Sequence, residues 1–169
     1  MMFFSQRPVF WLSVLPTVAL YAPLAYATHY LDINEAQHLM FPNAALFTPL
    51  PTSEKLSLRV WRATNQSGLL GYFFVDDVVG KHEYITYSLA IFTNGAIKQV
   101  EILDYRETKG NQVTNPQWRE EFKNKTVRDV LEVGVDITNI SGATLSCKHV
   151  TEGIRNLLAY YESHLKLTP

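Results

Sequence analysis

Ser141-Gly142-Ala143-Thr144 stands directly in front of a stretch whose apolar residues repeat at helical spacing. A threonine hydroxyl at such a place is exposed and held by a turn. Around it lie the backbone N–H groups that begin every helix and find no partner within it. Together with the positive end of the helix dipole they favour an anion such as a phosphate. Gly142 and Ala143 are small enough to let the backbone approach such a group closely. The hydroxyl is a poor nucleophile without an adjacent base or metal. No histidine or carboxylate stands beside Thr144 in a triad spacing, so covalent attachment there requires an outside enzyme. The same four residues also admit a plainer reading, in which Ser141 or Thr144 merely caps the helix.

Few other residues offer chemistry. Glu107 and Thr108 end a strand, where side chains commonly project into sites, although a solvated loop carboxylate fits the same position. Cys147 is the one cysteine and falls on the apolar face of the helix, as a core residue would. A single thiol excludes an internal disulfide, a C-x-x-C-H haem attachment and a cysteine-ligated iron–sulfur cluster. If the protein carries electrons, the carrier is organic. His29, His38, His82, His149 and His164 show no metal-ligand spacing. Lys148 and His149 flank the threonine and are either phosphate contacts or surface residues of a first helical turn. His82-Glu83 and Asp76-Asp77 read as loop charges. There is no Gly-x-Ser-x-Gly, and the lone cysteine has no recognisable partner, which argues against a hydrolase.

The elements that position these residues are legible in the pattern. Residues 1–27 read as a secretory signal: Arg7 is the lone charge, Val9 to Leu24 is apolar, and Ala25-Tyr26-Ala27 fits a cleavage site, so the mature protein is expected to begin at Thr28. The alternative is an uncleaved membrane anchor, against which stand Pro16, Pro23 and an apolar run shorter than the roughly 20 residues a span needs. The rest, residues 28–169, reads as one domain of the 169-residue chain. Without Arg7, the 15 Lys and Arg become 14, against 16 Asp and Glu, or −2. That balance argues against nucleic acid, which demands a basic face. Asp32 and Glu35 form a capping box for a short helix ending at Phe41-Pro42, followed by a polar loop with Pro42, Pro49 and Pro51. Leu56 to Ala63, Leu69 to Val79, Tyr84 to Phe92 and Ile97 to Tyr105 read as strands, the third alternating Ile85, Tyr87, Leu89 and Ile91 with Thr86, Ser88 and Ala90. Asn94-Gly95 marks a hairpin. A short helix near Gln117 to Lys123 presents Trp118 and Phe122. The last helix carries Cys147, Val150, Ile154, Leu157, Leu158, Tyr161 and Leu165 on one stripe. The fold class is α+β, an antiparallel sheet backed by helices with a long C-terminal helix after the Ser141–Thr144 turn.

Ser-Gly-Ala-Thr followed by Leu145 and Ser146 resembles the flavinylation motif of the FMN-binding domain family. That family includes covalently flavinylated subunits of sodium-pumping quinone reductases and related complexes, as well as small secreted proteins. Glu107-Thr108-Lys109-Gly110 is similar to the family's Glu-Thr-Pro-Gly loop, and the stretch from Glu35-Ala36 to Phe41-Pro42-Asn43-Ala44 is similar to the opening helix of its secreted members. The sequence departs from the pattern at Lys109, where proline is usual, and at Thr138, where an acidic residue is frequent and Asp136 stands two places earlier.

The resemblance implies FMN held covalently through a phosphoester at Thr144, with Ser141, Gly142, Ala143, Glu107 and Thr108 around the cofactor. It implies attachment by a flavin transferase that uses FAD, and it places Glu107 near the ring, where its charge opposes electron uptake. Trp118, Tyr72, Tyr84, Tyr87 and Tyr105 either stack on that ring or serve as core aromatics, which strands favour. The expected function is an exported electron carrier, periplasmic or extracytoplasmic, serving a membrane-bound redox partner, rather than an enzyme with its own substrate. The alternatives are a domain holding FMN non-covalently and a cofactor-free exported adaptor.

Overall fold

Asn94 and Gly95 reverse the chain between its two most buried strands: Gly95 N–H bonds Phe92 O at 2.9 Å, and Asn94 Oδ1 accepts from Ala96 N at 3.0 Å. The hairpin they close lies within a six-stranded sheet in a computed structural model that describes residues 28–52 and 57–166. The signal or anchor read at residues 1–27 lies outside the described residues, as does Leu56. The strands are β1 (Thr28–His29), β2 (Leu46–Leu50), β3 (Arg59–Asn65), β4 (Gly68–Val79), β5 (Tyr84–Phe92) and β6 (Ile97–Tyr105). They lie in the order β1-β6-β5-β4-β3-β2, and every pairing is antiparallel. The helices are α1 (Ile33–Met40), α2 (Pro116–Glu120) and α3 (Thr144–Tyr160), the last running into a wide π turn over Tyr161–Leu165. The α+β expectation holds.

Both faces of the sheet are covered. On one, Tyr72, Phe74, Ile85, Tyr87, Leu89 and Ile91 pack against Cys147, Val150, Ile154, Leu157, Leu158 and Tyr161 of the α3 stripe. Each such side chain contributes about 1.5–3 kcal/mol when fully buried. On the other, Ala36, Met40 and Phe41 at the end of α1 sit on Phe73, Val75, Ala90 and Leu103. The alternating residues Thr86, Ser88 and Ala90 are therefore buried too, because α1 covers the face that alternation alone leaves to solvent. The capping box is formed as expected: Glu35 N bonds Asp32 Oδ1 at 2.8 Å and Asp32 N bonds Glu35 Oε2 at 3.0 Å.

The structure corrects three local readings. The proline-bearing loop contains a strand, β2, with Pro49 opposite Trp61; β2 is the outermost strand, where a missing N–H costs the ladder little. The third strand begins at Arg59 and runs on to Asn65. Asp76 and Asp77 belong to β4 rather than a loop. Ser57 Oγ and Tyr87 OH donate to Asp76 at 2.8 and 3.3 Å, and Thr86 Oγ1 donates to Asp77. Burial, then the Asp76 charge, push the Tyr87 phenol well above its ordinary range, which keeps it a donor. The helix expected near Gln117 is α2. Its Trp118 and Phe122 rings meet edge-to-face at 5.0 Å, and Arg119 forms a largely buried ion pair with Glu101 that pins α2 to β6.

Gly153 marks the closest approach of α3 to the sheet. A Cβ there would lie 2.4 Å from the Tyr87 hydroxyl and 2.9 Å from Val78 Cγ1. Replacing glycine by alanine in a helix normally gains up to about 1 kcal/mol. Here overpacking against a buried, hydrogen-bonded tyrosine outweighs that gain, and Gly153→Ala is expected to lower stability by about 1–3 kcal/mol in urea denaturation. A neutral or stabilising result would contradict this packing.

Candidate functional site

Three segments far apart in sequence converge at one end of the sheet: the β4–β5 turn, the loop leaving β6, and the turn that enters α3. They enclose a cavity of about 490 Å³ lined by Lys81, His82, Glu107, Thr108, Lys109, Gly142, Ala143, Thr144, Leu145 and Ser146. Three polar links hold them together. Glu107 Oε1 accepts the backbone N–H groups of Lys81 and His82 at short range and that of Glu83 at 3.0 Å, joining loop to hairpin. His149 Nδ1 lies 3.0 Å from Gly80 O, joining hairpin to helix. That carbonyl only accepts, so the imidazole carries its proton on Nδ1. Tyr105 OH donates to Lys109 O at 2.5 Å and takes a bond from Ser146 Oγ at 3.0 Å, joining loop to helix. Burial pushes the Tyr105 phenol upward and keeps it protonated for this role.

Thr144 is the first residue of α3 and is exposed. The cap position belongs to Ala143, and no side chain caps the helix, so neither Ser141 nor Thr144 plays that part. The first helical bond runs from Cys147 N to Ala143 O at 2.8 Å. Among the described residues no protein group accepts from the N–H of Thr144, Leu145 or Ser146. An uncapped helix start with three free donors suits an anion. Gly142 makes the approach possible: its φ of 84° lies in the left-handed region, and nothing stands within 4 Å of where a Cβ would be.

The lead-in to this turn is fixed from behind. Trp118 Nε1 donates to Thr138 O at 2.9 Å and Glu121 Oε2 accepts from Thr138 N at 2.7 Å. Asp136 accepts from the amides of Glu132 and Leu131 at 2.8 and 3.1 Å and from Lys125 Nζ at 2.9 Å. Burial works to raise the Asp136 pKa, and these donors outweigh it and hold the carboxyl below its ordinary value.

Of the residues expected at the site, Thr144, Gly142, Ala143, Glu107 and Thr108 come together on the cavity wall. Ser141 is exposed in the turn but does not line it. Lys148 lies in a separate groove with Glu132 and Arg155, and His149 serves the hairpin link, so neither lines the cavity. Tyr72, Tyr87, Tyr105 and Trp118 are buried in the core, and Tyr84 is half-exposed at the start of β5. Sequence reasoning did not assign Lys81, His82 or the Lys109 side chain to the site. The first two announce themselves only as a charged turn, and their proximity to Thr144 exists only once the sheet and α3 are packed.

Glu107 also has a structural part. Burial acts to raise its pKa, but the backbone bonds from Glu83, His82 and Lys81 prevail and the carboxyl sits below its ordinary value. The carboxylate therefore anchors the hairpin turn, and local amide dipoles meet its charge. A depressed folded pKa means that this stabilisation is present above the unfolded pKa and is lost as pH falls through the folded one. Glu107→Gln is expected to cost about 1 kcal/mol at neutral pH, after discounting for solvent exposure. In urea denaturation that gap should close in acid, below the ordinary carboxylate range. A gap independent of pH would show that the charge of Glu107 contributes nothing.

No curated protein matches the chain. Among solved structures, the Shewanella oneidensis NqrC crystal structure aligns with a TM-score of 0.47 and 19% identity, over 75% of this chain and 70% of that one. Residues 80–159 match the model of the FMN-binding domain family, and every residue of the cavity wall falls within that segment. The segment that builds the cavity thus matches an FMN-binding domain.

Proposed function

We propose that this protein bears FMN as a phosphoester on Thr144 and that it works outside the cytoplasm, passing electrons between a membrane-bound redox partner and an extracytoplasmic acceptor. The observation that carries the attachment site is the Thr144 side chain: exposed, on the cavity wall, free of protein hydrogen bonds among the described residues, and beside three unpaired amides.

The residues present fit the cofactor. Free amides, Lys81 and Lys109 suit a phosphate. The volume falls within the range of about 300–1,000 Å³ usual for small-molecule sites, and Ala143 and Leu145 give the wall an apolar part. When bound, FMN supplies the redox chemistry, and the chain supplies binding and electrostatics. Attachment is a group transfer by a separate flavin transferase. Thr144 Oγ1 forms a bond to the phosphorus of the FMN half of FAD, the pyrophosphate P–O bond breaks, AMP leaves, and the hydroxyl proton passes to a base of the transferase.

Thr144→Val keeps the side-chain shape and removes the hydroxyl, so it is expected to fold as the parent does and to lose covalent flavin completely. In-gel fluorescence after denaturation reads this directly: a fluorescent Thr144→Val band would refute the attachment site. Flavin that leaves the parent protein on acid precipitation would instead favour non-covalent binding. Export has its own test. N-terminal sequencing of the protein from its native compartment is expected to begin at Thr28, whereas a start between Met1 and Tyr26 would mean that the apolar segment is retained as an anchor.

A further inference from the structure

Two lysines on different loops face one cavity without an ion-pair partner among the described residues. Lys81, in the β4–β5 turn, and Lys109, in the loop after β6, are exposed and line the wall, and neither forms an ion pair or a side-chain hydrogen bond among the described residues. Their backbones are held: Lys81 N–H donates to Glu107, and Lys109 O accepts from Tyr105 OH. Among the described residues Glu107 is the only carboxylate on the wall, and its Oε1 is turned to three turn amides. The start of α3 adds three free amides and the positive end of its dipole. These terms all favour negative charge in the cavity.

Resting on the assignment of this cavity to FMN, we propose that Lys81 and Lys109 set the redox potential of the bound cofactor, holding it higher than the same site without their charges would. Uptake of two electrons and one proton leaves the cofactor with one negative charge more than in its oxidised form. The electrons come from the external reductant and the proton from solvent. Two nearby ammonium groups stabilise that added charge and so favour reduction. A lysine pair that serves only the phosphate acts equally on both redox states and leaves the potential unchanged, because the phosphate charge does not alter on reduction. Fully solvated lysines screened by water also leave it unchanged.

The test is a dithionite redox titration of the flavinylated protein, followed by flavin absorbance, for the parent, the double variant Lys81→Gln/Lys109→Gln and the double variant Lys81→Arg/Lys109→Arg. Denatured-gel fluorescence first confirms covalent flavin in each, so a failure of the attachment reading appears there and not in the potential. The glutamine variant is expected to titrate at a lower midpoint than the parent at low salt, with the difference shrinking as salt is added. The arginine variant is expected to stay with the parent. An unchanged or raised midpoint in the glutamine variant overturns the proposal, and so does an arginine variant that falls with it.

Discussion

The apolar stripe of α3 against the sheet is the constraint on which the rest depends. Cys147, Val150, Ile154, Leu157, Leu158 and Tyr161 are all buried, and together they fix the rotation of the helix about its axis. With that phase set, the first turn has no freedom: Ser146 and Cys147 go inward, Thr144 and Leu145 outward. The contact of Gly153 with Tyr87 sets the distance, and Tyr161, whose hydroxyl bonds Thr93 O at 2.6 Å, closes the far end. The position of the helix N-terminus beside the strand ends follows from hydrophobic burial remote from the site.

Polar groups then decide what kind of cavity forms there. The hairpin turn, the loop after β6 and the helix start come from distant parts of the sequence and differ in conformational freedom until they are joined. Three links, through Glu107, His149 and Tyr105, remove that freedom. Using Glu107 this way has an electrostatic consequence, since the carboxylate meets amide donors and pairs with neither lysine side chain among the described residues. Leaving the start of α3 without a side-chain cap runs against the ordinary preference for Ser, Thr, Asp or Asn at that position, a preference worth about 1 kcal/mol. Local rules are broken most readily where a site needs the groups they would occupy.

The family match begins at Gly80 and ends at Ala159, so it holds the cavity but only β5 and β6 of the sheet. β1 to β4 and α1, which lie outside it, supply Tyr72 and Phe74 beneath α3 and the whole second layer over Phe73 and Ala90. The lead-in to the Thr144 turn departs from the family pattern at Thr138. Here α2 holds the Thr138 backbone through Trp118 and Glu121, while Asp136 secures the preceding loop.

Residue order alone determined the elements whose signals are local. The hairpin at Asn94-Gly95, the capping box of α1, strands β4 to β6 and the inward stripe of α3 depend on near neighbours and on periodicity. The Ser-Gly-Ala-Thr turn likewise announced an exposed threonine at a helix start. Tertiary structure alone decided which residues share the cavity and which surfaces are covered. Lys81 and Thr144 are 63 positions apart in the sequence, Asp76 and Asp77 read as loop charges until β5 pairs with them, and Ser88 reads as solvent-facing until Met40 of α1 lies over it. Pro49 reads as a loop residue because its missing N–H is tolerated only where a strand has one free side, and being an edge strand is a property of the whole sheet. Glu107 could be placed near the site from its motif. Whether its charge would face a ligand or three backbone amides depended on where a turn 24 to 26 residues earlier came to rest, and only packing fixes that.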